Sequence, residues 1–274
     1  MGYQTAIIRY LNNRPHIIKN RSVLTLGKLY PSPQLFGSRS KIIPEIAPVS
    51  RDDFSEAFLK DHLKASKVSV VDVDVYQGAD LIVNLNKPVG SDLINKFDTL
   101  IDFGTLEHLS NLTCAIENYF NLLKPGGFYC FLLPANNWLD HGFFQFSPTF
   151  FTDFCAQNDG VFGHDLFYVC GNRLLHFSES DHYVRRVLAK TSQPVFVGGV
   201  IEKIGPNVCL DLLQSKYISS YKSLRNSEHS RVSKSEAGFP QEGSRKRVFR
   251  SLISRMSVLP TSMQLVLLEF FKSS

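Results

Sequence analysis

The chain is poor in the features that most quickly assign a small protein to a class. Its five cysteines, Cys114, Cys130, Cys155, Cys170 and Cys209, contain no Cys-x-x-Cys pair, which argues against a disulfide framework or a thiolate zinc cluster. Three of them sit in apolar contexts and read as buried thiols in a reducing compartment. No apolar run is long enough to cross a bilayer. Arg9 and Arg14 interrupt what would be the apolar core of a signal peptide, so the expectation is a soluble cytoplasmic protein. Neither charge dominates: a net charge of +5 attracts anions weakly and is no nucleic-acid footprint. A Gly-x-Gly-x-x-Gly fingerprint is also missing, which counts against a nicotinamide-dinucleotide enzyme. No internal repeat appears, and no spacing of His, Cys, Asp and Glu favours a metal.

What the chain does have is apolar bulk. Of its 274 residues, 43% are hydrophobic, including 22 Phe, enough for one large domain plus an appendage. The informative stretch is Phe97 to Leu109. Phe97–Phe103 is a short apolar run interrupted by Asp98 and Asp102, as expected of a strand buried on both faces. It stops at Gly104-Thr105, and a helical pattern begins near Ser110. That helix stops at Lys124-Pro-Gly-Gly127, and Phe128 to Leu133 begins a second apolar strand. Strand, helix and strand make a βαβ unit. Ligands of such sheets bind beyond the carboxyl ends of the strands, which singles out Asp102, Gly104, Glu107 and His108.

Other elements follow along the chain. Residues 1–20 read as a polar, partly helical lead-in. Arg21 to Gly27 reads as a strand running into a glycine, and Lys67 to Asp74 as a strand with acids at its tip. Pro31, Pro33, Pro44 and Pro48 argue for a loop over 30–50. Asp52 or Asp53 caps a helix reaching about Ala65. Asp80 to Asn86 is a third short strand. The loop Leu133 to Gly142 carries the single tryptophan, Trp138, and His141. Ser147 and Pro148 suit an N-cap and first helical position. Val161–Val169 and Leu174–Phe177 pair through Gly171-Asn172, and Pro194 to Glu202 is a further strand. Residues 206–250 mix basic residues with serines: a helix to about Tyr221, then a solvated linker whose cations suit an anionic membrane surface. Residues 260–271 read as an apolar terminal helix that packs on the domain or on a second subunit as a homodimer. The domains expected are the lead-in 1–20, a main domain 21–205 and an extension 206–274.

The order strand, Asp-Phe-Gly-Thr-Leu-Glu-His, helix, Leu-Leu-Lys-Pro-Gly-Gly, strand resembles the centre of a class I S-adenosylmethionine-dependent methyltransferase. The resemblance spans roughly residues 20–205. It implies a three-layer Rossmann-like α/β sheet, mostly parallel with an antiparallel closing strand, and S-adenosyl-L-methionine as cofactor. It also implies a glycine loop at Gly27, a ribose-binding carboxylate at Asp72 or Asp74, an adenine contact at Asn84, and further cofactor contacts at Asp102 and Gly104. Two positions depart from the family pattern: Thr25 stands where an acid is usual, and Leu29 where a second glycine is usual. The run Asn136 to Phe154 resembles a subgroup of methyltransferase-like proteins that accompany polysaccharide synthesis, which implies a small-molecule or glycan acceptor by analogy. A hydroxyl acceptor needs a base, and His141 and His108 are the candidates, with Glu107 orienting His108 or the acceptor. The alternative is an inactive methyltransferase fold that serves as a binding or assembly protein.

Overall fold

The computed structural model describes residues 2–46, 48–176, 188–206, 208–212 and 263–266. The chain divides into two compact units, Met1–Phe177 with Val195–Leu212, and Ser178–Pro194 with Leu213–Ser274.

The first unit is built on an eight-stranded sheet. Its strands are β2 (Ser22–Leu26), β4 (Lys67–Asp72), β5 (Leu81–Ile82), β6 (Phe97–Asp102), β7 (Leu123–Asn136), β8 (Val161–Cys170), β9 (Arg173–His176) and β11 (Val195–Lys203). The spatial order is β5-β4-β2-β6-β7-β11-β8-β9. β5, β4, β2, β6 and β7 run parallel, β11 is antiparallel to both its neighbours, and β9 closes a hairpin with β8. From β2 the chain steps outward to β4 and β5, then returns to the other side of β2 as β6. The order therefore reverses between β2 and β6, where open sheets of this type bind ligands beyond their carboxyl ends.

Alternate side chains on each strand enter opposite cores, as a pleated strand requires. On β7, Phe128, Cys130 and Leu132 join one apolar cluster, while Tyr129, Phe131 and Leu133 join the other. Helices α4 (Leu112–Leu122) and α5 (Pro148–Gln157) cover the second face. Asn111 caps α4 by accepting from the Cys114 amide at 3.3 Å, and Ser147 caps α5 by accepting from the Thr149 amide, also at 3.3 Å. In the middle of α4, buried Asn118 donates to the Leu85 and Lys87 carbonyls and accepts from the Val89 amide. That staple fixes the loop after β5.

The other face is covered by the amino-terminal segment, which is more than a lead-in. β1 (Gly2–Tyr3) pairs in parallel with β3 (Tyr30–Pro31), and α1 (Thr5–Asn12) buries Ile7, Ile8, Tyr10 and Leu11. Tyr10 donates to Asp165 on β8 at 2.9 Å, and Arg14 pairs with the same carboxylate at 2.9 Å. Residues 1–20 therefore belong to the main unit, and Val208, Leu210 and Leu212 also pack against its core.

Three further expectations are corrected. The prolines of residues 30–50 delimit helices instead of excluding them. Ser32 accepts from the Leu35 amide at 3.2 Å, and Pro33 starts α2 (Pro33–Ile42) at a position where no amide hydrogen is needed. The helix after Asp53 begins as α3 (Phe54–Glu56) and turns wider, as a π-helix, over Ala57–His62. The third strand spans only Leu81–Ile82, so Asn84 lies beyond it.

In the second unit, β10 (Leu188–Thr191) pairs antiparallel with β12 (Met263–Val266). The residues Met263–Val266 thus run as a strand where an apolar helix was expected. A short apolar run fits either state, and a pairing partner decides it. The remainder of that expected helix, and the helix and linker expected over 213–250, lie outside the described residues. Among the described residues, no helix is long and apolar enough to cross a membrane.

Candidate functional site

The tips of β2, β4 and β6 converge. The chain leaves β2 through Gly27, whose amide still donates to the Val71 carbonyl at 2.8 Å. Gly27 has φ +69°, a conformation that favours glycine. A methyl group added there would stand 3.7 Å from Thr105 Oγ1 and 3.8 Å from Asp72 Oδ2, with nothing nearer. Thr105 Oγ1 in turn donates to the Leu26 carbonyl at 2.9 Å, tying the β6 tip to the β2 tip. Asp72 is half-buried at the last position of β4, and its Oδ1 accepts from the Val73 amide at 2.6 Å. Leu29 is buried in the core, and Thr25 is fully buried with no hydrogen-bond partner for its hydroxyl.

Asp102 occupies the centre of this arrangement, yet its side chain is fully buried. Oδ1 accepts from the Gly104 amide at 3.2 Å and the Thr105 amide at 2.8 Å, and Oδ2 from the Tyr129 hydroxyl at 3.3 Å. Its carboxylate therefore shapes the turn through Gly104, where φ is +110°, and offers a ligand the form of that loop instead of an oxygen. Burial pushes its pKa up, against the pull of the loop amides. Thr105 and Tyr129 were not singled out in the sequence. The only signal for Thr105 was its place beside Gly104, and for Tyr129 there was none.

Beyond the turn, Leu106–His108 makes a single helical turn that carries Glu107 and His108. Glu107 is fully buried, and among the described residues neither carboxylate oxygen accepts a hydrogen bond from another residue. His141 arrives from the loop after β7. The Phe143 amide donates to the Glu107 carbonyl at 2.7 Å, and the Phe146 amide to the Pro134 carbonyl at 2.7 Å, folding the loop back over the strand tips. Gly142, with φ +70°, lies so close to Glu107 that an added methyl carbon would be 2.8 Å from Glu107 Cγ. Trp138 backs His141, with ring centroids 4.9 Å apart, and itself rests on Phe196 at 4.9 Å.

The result is a tight trio. Glu107 Oε1 lies 3.5 Å from His141 Nε2 and 3.8 Å from His108 Nε2. The two imidazoles meet edge to face with centroids 5.1 Å apart. Burial pushes the Glu107 carboxyl up, and the nearby Asp102 charge pushes it further. Burial also pushes both imidazoles down, and at His108 the neighbouring His141 adds to the effect. These shifts favour uncharged forms of all three groups, the expected response to confinement in a poorly solvated space. The cluster can take or give a proton and can offer oxygen and nitrogen lone pairs to a ligand.

Asp74 and Asn84 follow the carboxyl ends of β4 and β5 and make hydrogen bonds of their own. Asp74 is exposed, and its Oδ1 accepts from the Tyr76 amide at 2.8 Å. Asn84 is exposed, and its Oδ1 accepts from the Asn86 amide at 3.0 Å. Both side chains close turns of their own. A separate cavity of about 390 Å³, lined by Ser22, Lys67, Asp80, Asp92 and Lys96, lies at the amino-terminal ends of β2 and β4, away from the strand tips.

Neither a protein-family model nor a curated protein matches the chain. Solved structures do. One is the cyclase SpnF, at 11% identity and TM-score 0.43, with 74% of this chain and 81% of that chain covered. Another is the Burkholderia thailandensis 1,6-didemethyltoxoflavin-N1-methyltransferase with bound 1,6-didemethyltoxoflavin and S-adenosylhomocysteine, at 14% identity and TM-score 0.32, covering 73% and 79%. A third is a point mutant of the 16S rRNA (adenine(1408)-N(1))-methyltransferase from Catenulisporales acidiphilia, at 12% identity and TM-score 0.40, covering 76% and 96%. Likeness at this level carries nothing about substrate or chemistry. The strand order, reversing between β2 and β6 and closed by antiparallel β11, makes the fold a class I methyltransferase-like Rossmann sheet.

Proposed function

We propose that the chain is an S-adenosylmethionine-dependent methyltransferase whose acceptor, a hydroxylated small molecule or glycan, sits against Glu107, His108 and His141. The observation that carries this reading is the trio itself. A fully buried carboxylate with, among the described residues, no hydrogen-bond partner in another residue faces two imidazoles, beside the point where three strand tips meet. Structural carboxylates are normally hydrogen-bonded, so this one is better explained as kept for a ligand.

The residues at the convergence fit the cofactor. Gly27 brings its backbone within van der Waals reach of Thr105 Oγ1 and Asp72 Oδ2, and the Asp72 carboxylate beside it can accept from paired ribose hydroxyls. The turn through Gly104 would form the floor. Asp74 and Asn84, turned into their own loops, are left out of the binding set. When bound, the cofactor supplies a sulfonium-activated methyl group, so little covalent work falls to the protein. Transfer to a hydroxyl forms an oxygen–carbon bond, breaks a sulfur–carbon bond and releases the hydroxyl proton. The chain must align the two centres, exclude water and receive that proton. Trp138 and the loop through Phe143 would narrow the approach of water, and the trio would mark the side on which the proton leaves.

The inactive-fold alternative has support of its own, in Leu29 being committed to the core where the family pattern has a second glycine. Titration calorimetry separates the two. The methyltransferase reading expects S-adenosylmethionine and S-adenosylhomocysteine to bind at one site per chain, and NAD not to bind. It also expects Asp72→Ala to weaken binding roughly 10–100-fold, as removal of a charged hydrogen-bond partner does. Absence of binding by either sulfur ligand would favour the binding protein. Unchanged affinity in Asp72→Ala would remove the ribose assignment.

A further inference from the structure

We propose that Glu107, His108 and His141 form a binding site for a divalent transition-metal ion. The proposal deepens the reading above by naming what the trio holds, and it rests on that reading only for the identity of the acceptor.

Geometry comes first. The three donor atoms lie within 4.8 Å of one another, and two of the separations are 3.5 and 3.8 Å. Ligand atoms about 2.1 Å from one ion, at octahedral or tetrahedral angles, stand roughly 3.0–3.4 Å apart. Small side-chain rotations therefore bring all three onto one ion.

The second argument is independent of spacing. Both Glu107 oxygens and His141 Nε2 are buried, and among the described residues neither group has a hydrogen-bond partner in another residue. A buried carboxylate with no donor is costly, and the fold has nevertheless placed one here. A cation removes that cost, since it satisfies the carboxylate and uses the lone pair of each neutral imidazole.

The third argument is rigidity. Glu107 holds the His141 loop by its own carbonyl, which accepts from the Phe143 amide at 2.7 Å. Close contact at Gly142 leaves the loop little room to shift. The carboxylate and the distant histidine are thus positioned by the same residue, as a preorganised site requires. His108 and His141 are both partly exposed, with side chains 48% and 31% accessible. Glu107 and His141 Nε2 close the inner side, so the ion would face solvent on the His108 side, where a position for water or an acceptor oxygen would lie. A ligand set of two imidazoles and one carboxylate selects ions such as Mn²⁺, Fe²⁺, Co²⁺ and Zn²⁺ over Mg²⁺ and Ca²⁺, which prefer all-oxygen sets.

The test is a Mn²⁺ titration of the full chain, followed by electron paramagnetic resonance and run without S-adenosylmethionine. The expected result is one saturable ion per chain, with imidazole nitrogen coupling in the pulsed spectrum and no competition from equimolar Mg²⁺. Glu107→Gln and His108→Ala should each weaken binding at least tenfold. Glu107→Gln keeps the shape of the buried side chain, and His108→Ala changes a half-exposed one, so both are expected to fold. Circular dichroism of each variant checks this. Saturable binding that persists unchanged in Glu107→Gln/His108→Ala, or bound Mn²⁺ without nitrogen coupling, would overturn the site. Calorimetry with S-adenosylhomocysteine on Glu107→Gln keeps the two readings apart. Retained cofactor affinity with lost metal binding is the expected pattern. Cofactor binding by a wild-type chain that takes up no Mn²⁺ would refute the metal site and leave the methyltransferase reading intact.

Discussion

The two ends of the central sheet treat their polar residues in opposite ways. At the amino-terminal end, Asp98, Arg21 and Lys203 are spent on structure. Asp98 accepts from the Ser22 amide at 2.9 Å, from the Ser22 hydroxyl at 2.8 Å and from Lys124 at 2.9 Å. Arg21 reaches the Gly126 carbonyl and lies over the Phe128 ring. Lys203, buried at the end of β11, donates to Asn95 Oδ1 at 2.8 Å and to the Phe120 and Leu123 carbonyls at 2.7 Å each. At the carboxyl end, Glu107, His141 Nε2 and Trp138 Nε1 are buried and, among the described residues, have no hydrogen-bond partner in another residue. The same chain satisfies one end and leaves the other open. The contrast is what supports the proposed site, because unsatisfied buried groups persist where a ligand makes use of them.

Substitutions sharpen this contrast. The largest effect is expected at Lys203. Lys203→Met keeps most of the volume but strands two buried carbonyls and an amide oxygen, and should lower unfolding stability by roughly 3 kcal/mol or more in urea titration. A loss below about 1 kcal/mol would mean that the structural end is less tightly built than its hydrogen bonds suggest.

Asp98→Asn comes next, at about 1–2 kcal/mol, because the side chain is partly exposed and solvent screens its pair with Lys124. Burial alone would raise the Asp98 carboxyl, but the hydrogen bonds from Lys124 and Ser22 outweigh it and leave the pKa below the usual value. A depressed folded pKa means that the stabilisation is complete above the unfolded value, near about 4. It is lost as pH falls through the lower folded value. Wild-type stability should therefore drop on that acid limb, and Asp98→Asn should flatten it.

Glu107→Gln tests the other end. No hydrogen bond is lost and a confined carboxyl group is removed, so stability near neutral pH should change by less than about 0.5 kcal/mol. A drop as large as that of Lys203→Met would show the carboxylate to be structural and would break the comparison. The smallest effect is reserved for Asn84→Ala, which should leave S-adenosylhomocysteine affinity within about twofold in calorimetry. That side chain serves its own turn.

Much of the fold was legible from the chain. The strands at Ser22–Leu26, Lys67–Asp72 and Phe97–Asp102, the hairpin through Gly171-Asn172 and the Ser147-Pro148 helix start all follow from local pattern, and local pattern is what backbone sterics and capping act on. The errors share one cause. The helix of Pro33–Ile42 depended on a Ser32 cap that read as loop composition. The strand at Met263–Val266 depended on pairing with Leu188–Thr191. The amino-terminal helix read as an appendage because its apolar face is legible only beside the strands that it covers.

The site divides along the same line. Neighbours in sequence pointed to Asp102, Gly104, Glu107 and His108, because a strand tip followed by a helix is a local event whose geometry the backbone enforces, and the family resemblance pointed to Gly27 and Asp72. Tertiary structure alone decided which of the marked carboxylates stays available. Asp102 is spent on the Gly104 turn, whereas Glu107 accepts from no other described residue and meets His141 across a loop that its own carbonyl holds. Hydrogen-bond satisfaction depends on every group that packs nearby, and those groups come together only when distant segments fold against one another.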